Sequence, residues 1–378
     1  MARIYLDYNA STPIDPAVSA VMQPLLHEAF GNPSSGHWAS RNAKELLERA
    51  RGQVAALLGA QPDEIVFTSG GSEANNLALK GSFFAKLHQE QHIITQATEH
   101  PAVLKPLAFL ERFGAIVTYL PVDGSGRVDP EAVRRAITPR TTLISIMHAN
   151  NETGTVQPIE AIGEIARERA IRFHTDAAQS VGKIATWVDE LGVDLLSIAG
   201  HKLYAPKGVG ALYVRRGIVL EPLIHGAGHE HGQRAGTESV LLAAGLGEAC
   251  QRAAEVDSRV RIQELRDHLW RSLRTLFGDR VALNGHLEYR LPNTLNVSFV
   301  GEMGSEVLTR LDGVAASTGS ACHAGRVEIS PVLRAMNIPE HVGLGAVRFS
   351  LGRGTTRDEI DRLLAQLAAI RRSFASPT

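Results

Sequence analysis

Short apolar runs recur along the first two-thirds of the chain, spaced to leave room for a helix between most neighbours. They are Glu64–Thr68, His92–Thr95, Ile116–Leu120, Leu143–His148, Arg172–Asp176, Leu195–Ala199 and Gly210–Val214. Such runs alternating with helical periodicity predict an α/β fold, a mostly parallel sheet covered by helices. One helix is predicted to open after Gly71 and another to cover Ile159–Arg169. A long helical stretch from about Val240 to Phe277 then leads away. Beyond it the pattern changes to α+β, with strands predicted at Thr294–Phe299 and Val347–Leu351. Thr356-Arg357-Asp358-Glu359 is a capping box. After it Ile360, Leu363, Leu364, Leu367 and Ile370 share one helical face, which should pack on a sheet. The division expected is a large domain over 14–256 and a smaller α+β domain made of 1–13 and 257–378.

Composition adds limits. With 378 residues, 44% hydrophobic and 21% charged, the chain can bury a large core and build two domains. A formal net charge of −1 and the absence of long Lys/Arg runs argue against nucleic acid or an anionic membrane as partner. No apolar run approaches the ~18 residues of a membrane span, and the first residues lack the apolar core of a signal peptide. Two cysteines, Cys250 and Cys322, are too few for a disulfide framework. The expected location is the cytoplasm.

Several polar residues stand where strands end, and in a parallel sheet the ligand crevice lies at the strands' carboxyl ends. Lys202 follows the strand Leu195–Ala199, where an amine beside a cleft can form a Schiff base with a carbonyl compound. A lone lysine is usually only a solvated charge. Thr68-Ser69-Gly70-Gly71-Ser72 joins a strand to a helix start, where Gly71 and Ser72 can present N–H and O–H groups to an anion; a plain βα turn is the simpler alternative. Asp176 can pair with a protonated ring nitrogen or merely cap a helix. Asn150 and Asn151 are donors or turn residues. His100 can stack on a ring and move protons. His225, His229 and His231 sit in a glycine-rich loop without the spacing of a metal site, so no metal is expected. Cys322 lies among small residues in Ser317-Thr318-Gly319-Ser320-Ala321-Cys322-His323-Ala324-Gly325, as on an exposed mobile loop. A thiolate there would be nucleophilic, aided by His323 or Arg326. Cys250 falls in a helix as inert packing.

Taken in order, these segments resemble the cysteine desulfurases, enzymes of fold-type I and aminotransferase class V that depend on pyridoxal phosphate (PLP). The resemblance runs from Tyr5-Leu6-Asp7-Tyr8-Asn9-Ala10 and Gly31-Asn32-Pro33 through Thr98-Glu99-His100 and Met147-His148-Ala149-Asn150-Asn151. It continues through His174-Thr175-Asp176-Ala177-Ala178-Gln179, Gly200-His201-Lys202, Arg234-Ala235-Gly236-Thr237 and Ser320-Ala321-Cys322 to Arg348-Phe349-Ser350. It implies that Lys202 holds the cofactor and abstracts the Cα proton. Asp176 would meet the ring nitrogen, Gln179 the ring hydroxyl and His100 the ring face. Gly71, Ser72 and His201 would bind the phosphate, with Thr237 reaching in from the other subunit of a homodimer. Asn151 and Arg348 would hold the substrate carboxylate. The reaction implied takes sulfur from L-cysteine as a persulfide on Cys322, leaving alanine. The persulfide would pass to an acceptor protein, an iron–sulfur scaffold or a thiolation protein.

Two departures matter. Family members usually carry Ser or Thr where this chain has Ala199, a lost phosphate hydrogen bond of roughly 1–3 kcal/mol, so weaker cofactor retention is expected. His323 after Cys322 is similar to selenocysteine lyases, which makes a selenocysteine lyase or another Cβ-lyase the rival activity. A non-catalytic partner protein on the same fold is the rival class.

Overall fold

In the computed structural model the strands run, in chain order, β1 (Ile4–Tyr5), β2 (Ile65–Thr68), β3 (His92–Gln96), β4 (Ile116–Leu120), β5 (Thr141–Ser145), β6 (Arg172–Asp176), β7 (Leu195–Ala199) and β8 (Gly210–Val214). They continue with β9 (Val281–Asn284), β10 (Thr294–Phe299), β11 (Val314–Ala315), β12 (Ala321–His323), β13 (Arg326–Glu328) and β14 (Ala346–Ser350). The structure describes residues 3–255, 258–318, 321–323 and 326–371, with backbone alone for 321–323 and 326–327.

Seven strands form one sheet in the order β2-β8-β7-β6-β5-β3-β4. Five neighbours from β4 to β7 pair in parallel, and β8 runs antiparallel between β7 and β2. All seven predicted strands are present. β5 ends before the predicted His148, yet its ladder persists irregularly: Ile146 N and His148 N donate to the carbonyls of His174 and Asp176. Ile65, Ile144, Phe173, Leu196 and Tyr213 are among the apolar side chains buried in a core under the helices. That burial, at about 25 cal/mol per Å² of apolar surface, drives the assembly.

β9, β10 and β14 form a separate antiparallel sheet in the order β14-β10-β9. Its core joins Leu295, Val297, Phe299, Val347 and Phe349 to Leu265 and Leu269 of one helix and Ile360, Leu363 and Leu367 of the last. Thr356 and Glu359 make the predicted capping box. The stretch predicted as one long helix is two, Val240–Glu255 and Arg259–Phe277, with 256–257 outside the described residues. The physical reason is a change of partner. Leu246 and Ala249 face the large core, whereas Ile262, Leu265 and Leu269 face the small one. The N-terminal strand β1 pairs in parallel with β11, and Leu6 O then accepts from Ser350 N at 2.8 Å. No helix among the described residues is long and apolar enough to cross a membrane.

One buried ion pair ties the sheet to the loop around residues 225–236. Glu230, 4% exposed, accepts from Arg51 Nη1 and Nη2 at 2.8 and 3.0 Å and from Phe67 N at 2.7 Å. Removing one partner of such a pair strands a buried charge, which costs about 3–5 kcal/mol. Arg51→Met should therefore lower unfolding stability by that amount in urea titration, and Arg51→Met/Glu230→Gln should recover part of it.

Candidate active site

A cavity of about 600 Å³ opens at the carboxyl ends of the parallel strands. It receives residues from the loops after β2, β3, β5, β6 and β7, together with Asn9 and Ala10 from the N-terminal segment and Arg348 from β14. The site therefore lies where the two sheets meet.

Its floor at one end is a helix N-terminus. Gly70 caps the Gly71–Phe84 helix at φ +152°, a conformation closed to most L-residues, and no side chain caps that end. The first helical bond is Ala74 N to Gly70 O at 3.0 Å, so the N–H groups of Gly71, Ser72 and Glu73 have no partner within the helix. Three free amides and the positive end of the dipole make an anion site. Lys207 and His201 line the same cavity. Burial above all, and then the Lys202 and Lys207 charges, bring His201 to a pKa of about 4, so it acts there as a neutral imidazole.

Asp176 closes β6 with its carboxylate doubly held. Asn75 Nδ2 donates to Oδ2 at 2.7 Å and Ala178 N to Oδ1 at 2.9 Å. The two bonds fix the plane of the carboxylate. Beneath it Glu99 is buried, accepting from Met147 N at 2.6 Å; burial pushes its carboxyl well above the ordinary range. His100 caps the Pro101–Glu111 helix, its Nδ1 accepting from Ala102 N at 3.1 Å. Enclosure by the cavity walls and the Lys202 charge lower its pKa, while Asp176 acts the other way.

Lys202 stands opposite, in the turn after β7. Its Nζ donates to the carbonyls of Asn9 and, at 2.8 Å, Ala10. The turn is held by force of geometry: Tyr204 sits at φ +64°, a left-handed conformation unusual for a non-glycine residue. Its N–H donates to Thr12 Oγ1 at 2.9 Å, and its carbonyl accepts from Asp15 N at 3.0 Å. Burial first, then the Arg348 cation, brings the Lys202 pKa down to about 8; Asp7 and Asp176 resist this.

Arg348 reaches in from the small sheet. Nη1 donates to Asn151 O and Nη2 to Asp7 Oδ1, both at 2.8 Å, while its buried Nε has no protein partner. Gln179 donates from Nε2 to Asn9 O at 3.0 Å.

The cavity thus brings together Gly71, Ser72, His100, Asn151, Asp176, Gln179, His201, Lys202 and Arg348. Thr237 does not line it and is exposed. Asn150 serves the fold, its Oδ1 accepting from the N–H groups of Glu152 and Thr153 at 2.9 Å. Cys322 lies in β12, so the backbone forms a short hairpin with β13 where a loop was expected; the thiol lies outside the described residues. Among the described residues no cluster of His, Cys, Asp or Glu could hold a metal. Sequence reasoning missed Asn75, Asn9 and Lys183. Asn75 lies one helical turn after Gly71, which was its only signal.

The model for the aminotransferase class-V family matches residues 4–363. The chain belongs to that family, among its cysteine desulfurases. It is 50% identical to cysteine desulfurase IscS of Dictyoglomus turgidum over 97% of this chain and 94% of that one. To the IscS of Methanosarcina thermophila it is 46% identical, covering 96% and 90%. Among solved structures, a NifS-like protein superposes with a TM-score of 0.92 at 37% identity, covering 99% of this chain and 100% of that one. A structure of SspA in complex with cysteine gives 0.83 at 42% identity, covering 92% and 98%. The family is PLP-dependent, and the residues present fit that group. Orphan amides suit a phosphate, the Asp176 carboxylate a protonated pyridine nitrogen, and the Lys202 amine an aldehyde.

Lys202 should react as an amine of pKa about 8 rather than 10.5. Its acetylation rate, followed residue by residue by mass spectrometry, should rise to a plateau with a midpoint near pH 8. Arg348→Met removes a cation that disfavours the ammonium, so the midpoint should move up.

Proposed function

We propose that this chain is a PLP-dependent cysteine desulfurase. The observation that carries the reading is one cavity holding a depressed lysine amine, a fixed carboxylate and a bare helix N-terminus, in a chain about half identical to known cysteine desulfurases. The cofactor, when bound, supplies an electron-withdrawing ring that accepts the electron pair left when an amino acid loses its Cα proton.

The chain's own groups do the rest. Lys202 Nζ, once neutral, takes the proton from the substrate Cα, and the Asn9 and Ala10 carbonyls aim it. Asp176, held by Asn75 and Ala178, would pair with the ring nitrogen. Gly71, Ser72 and His201 would hold the phosphate, His100 would support the ring and Gln179 would donate to its oxygen. Arg348 and Asn151, both in the cavity wall, hold the substrate carboxylate. Cys322 attacks the substrate sulfur as thiolate. The new S–S bond forms as Cβ–S breaks and the bonding pair stays with Cβ; a proton added there, and the one Lys202 returns to Cα, complete alanine.

In this reading residues 14–256 form the large domain, and 1–13 with 257–378 the small one. The chain works in the cytoplasm as a homodimer, with Thr237 of each chain reaching its neighbour's cavity. The persulfide passes to a sulfur-acceptor protein, an iron–sulfur scaffold or a thiolation protein. The second reading, a selenocysteine lyase, is favoured by His323 directly after Cys322. Alanine release from L-cysteine and from L-selenocysteine separates the two; release from selenocysteine alone sinks the first.

Cys322→Ser should keep the cofactor and lose sulfur transfer. Mass spectrometry after incubation with L-cysteine should find a sulfur adduct on Cys322 in the native chain. Full activity in the variant would remove Cys322 from the mechanism.

A further inference from the structure

One half-buried lysine beside the cavity has no part in the steps above. Lys183 lies in the turn after β6, and its Nζ donates to Gln179 Oε1 at 2.9 Å and Asn9 Oδ1 at 3.5 Å. Both partners are neutral amide oxygens. Asn9 is saturated: its Oδ1 also accepts from Asn293 Nδ2 at 2.9 Å, and its Nδ2 donates to Thr294 Oγ1 and Asn151 O at 2.8 and 3.2 Å. It therefore cannot turn.

An ammonium has three donors and no acceptor, so it dictates which end of a carboxamide faces it. Gln179 must turn Oε1 to Lys183 and Nε2 toward Asn9 O, which takes one N–H at 3.0 Å. Gln179 is 5% exposed and lines the cavity. Its second amide N–H is then available to a ligand atom. The two amide orientations have the same shape, so the choice rests on these contacts: the Lys183 ammonium and the Asn9 carbonyl both favour the one described. The reversed one would set Oε1, an acceptor, against whatever the wall meets.

We propose that Lys183 is a positioning residue acting through Gln179, which makes the cavity wall present a donor and so favours a ring bearing an oxygen acceptor. The inference rests on the PLP reading, since the ring oxygen of that cofactor is such an acceptor. Burial, with the Lys202 and Arg348 charges, brings the Lys183 pKa to about 7. An anionic ligand in the cavity shifts the balance back toward the ammonium.

The test is a double-mutant cycle read as PLP affinity, by absorbance titration of apoprotein, for native chain, Lys183→Met, Gln179→Leu and the double variant. Lys183→Met should weaken PLP binding roughly tenfold in the native background, and by less than about twofold where Gln179 is already Leu. Lys183→Arg, also donor-only, should stay within about threefold of native. Equal losses in both backgrounds, or no loss, overturn the proposal. If Lys183→Met fails to fold by circular dichroism, Lys183→Gln takes its place in the same cycle. A native chain that takes up no PLP overturns the parent reading instead.

Discussion

An amine can serve as a base near neutral pH only where its proton is weakly held, and the surroundings of Lys202 meet that constraint. Its Nζ is drawn out of water at the end of a buried strand, faces the Arg348 cation, and is met by two carbonyl oxygens. Burial and the Arg348 cation disfavour the ammonium while the Asp7 and Asp176 carboxylates temper the effect, leaving a value of about 8. A lysine on an open surface would keep its ordinary value and stay protonated.

That environment exists because two sheets meet. The large sheet brings Lys202 and Asp176 to the ends of adjacent strands β7 and β6. The small one brings Arg348 from β14. Asn9 joins them, its side chain bonded to Thr294 and Asn293 and its carbonyl to Lys202 and Gln179. Displacing either sheet would change the charge felt by the amine. Strain at Tyr204 and the bare cap at Gly70 are local costs borne by the packing around them.

The strands were legible because short continuous apolar runs, buried on both faces of the sheet, act locally: β2 through β8 stand where those runs predicted them. Gly71, Asp176 and Lys202 were legible for a related reason, since strand ends place them in the crevice regardless of detail. The break near residue 256 was not, because both halves carry helical periodicity and differ only in which core they face. Nor were Asn75, Asn9 and Lys183, whose roles come from partners far along the chain; Lys183 to Asn9 spans 174 positions. The role of Glu230 likewise comes from Arg51, 179 positions away.

Two half-buried lysines with depressed pKa share this network, Lys202 at about 8 and Lys183 at about 7, so acidity alone does not choose between them. Geometry does: Lys202 lines the cavity, and Lys183 stands behind Gln179. Borohydride reduction of the PLP-loaded protein, followed by peptide mapping, decides the matter directly. A cofactor label confined to Lys202 is the predicted result; a label on Lys183, or on neither, would contradict it.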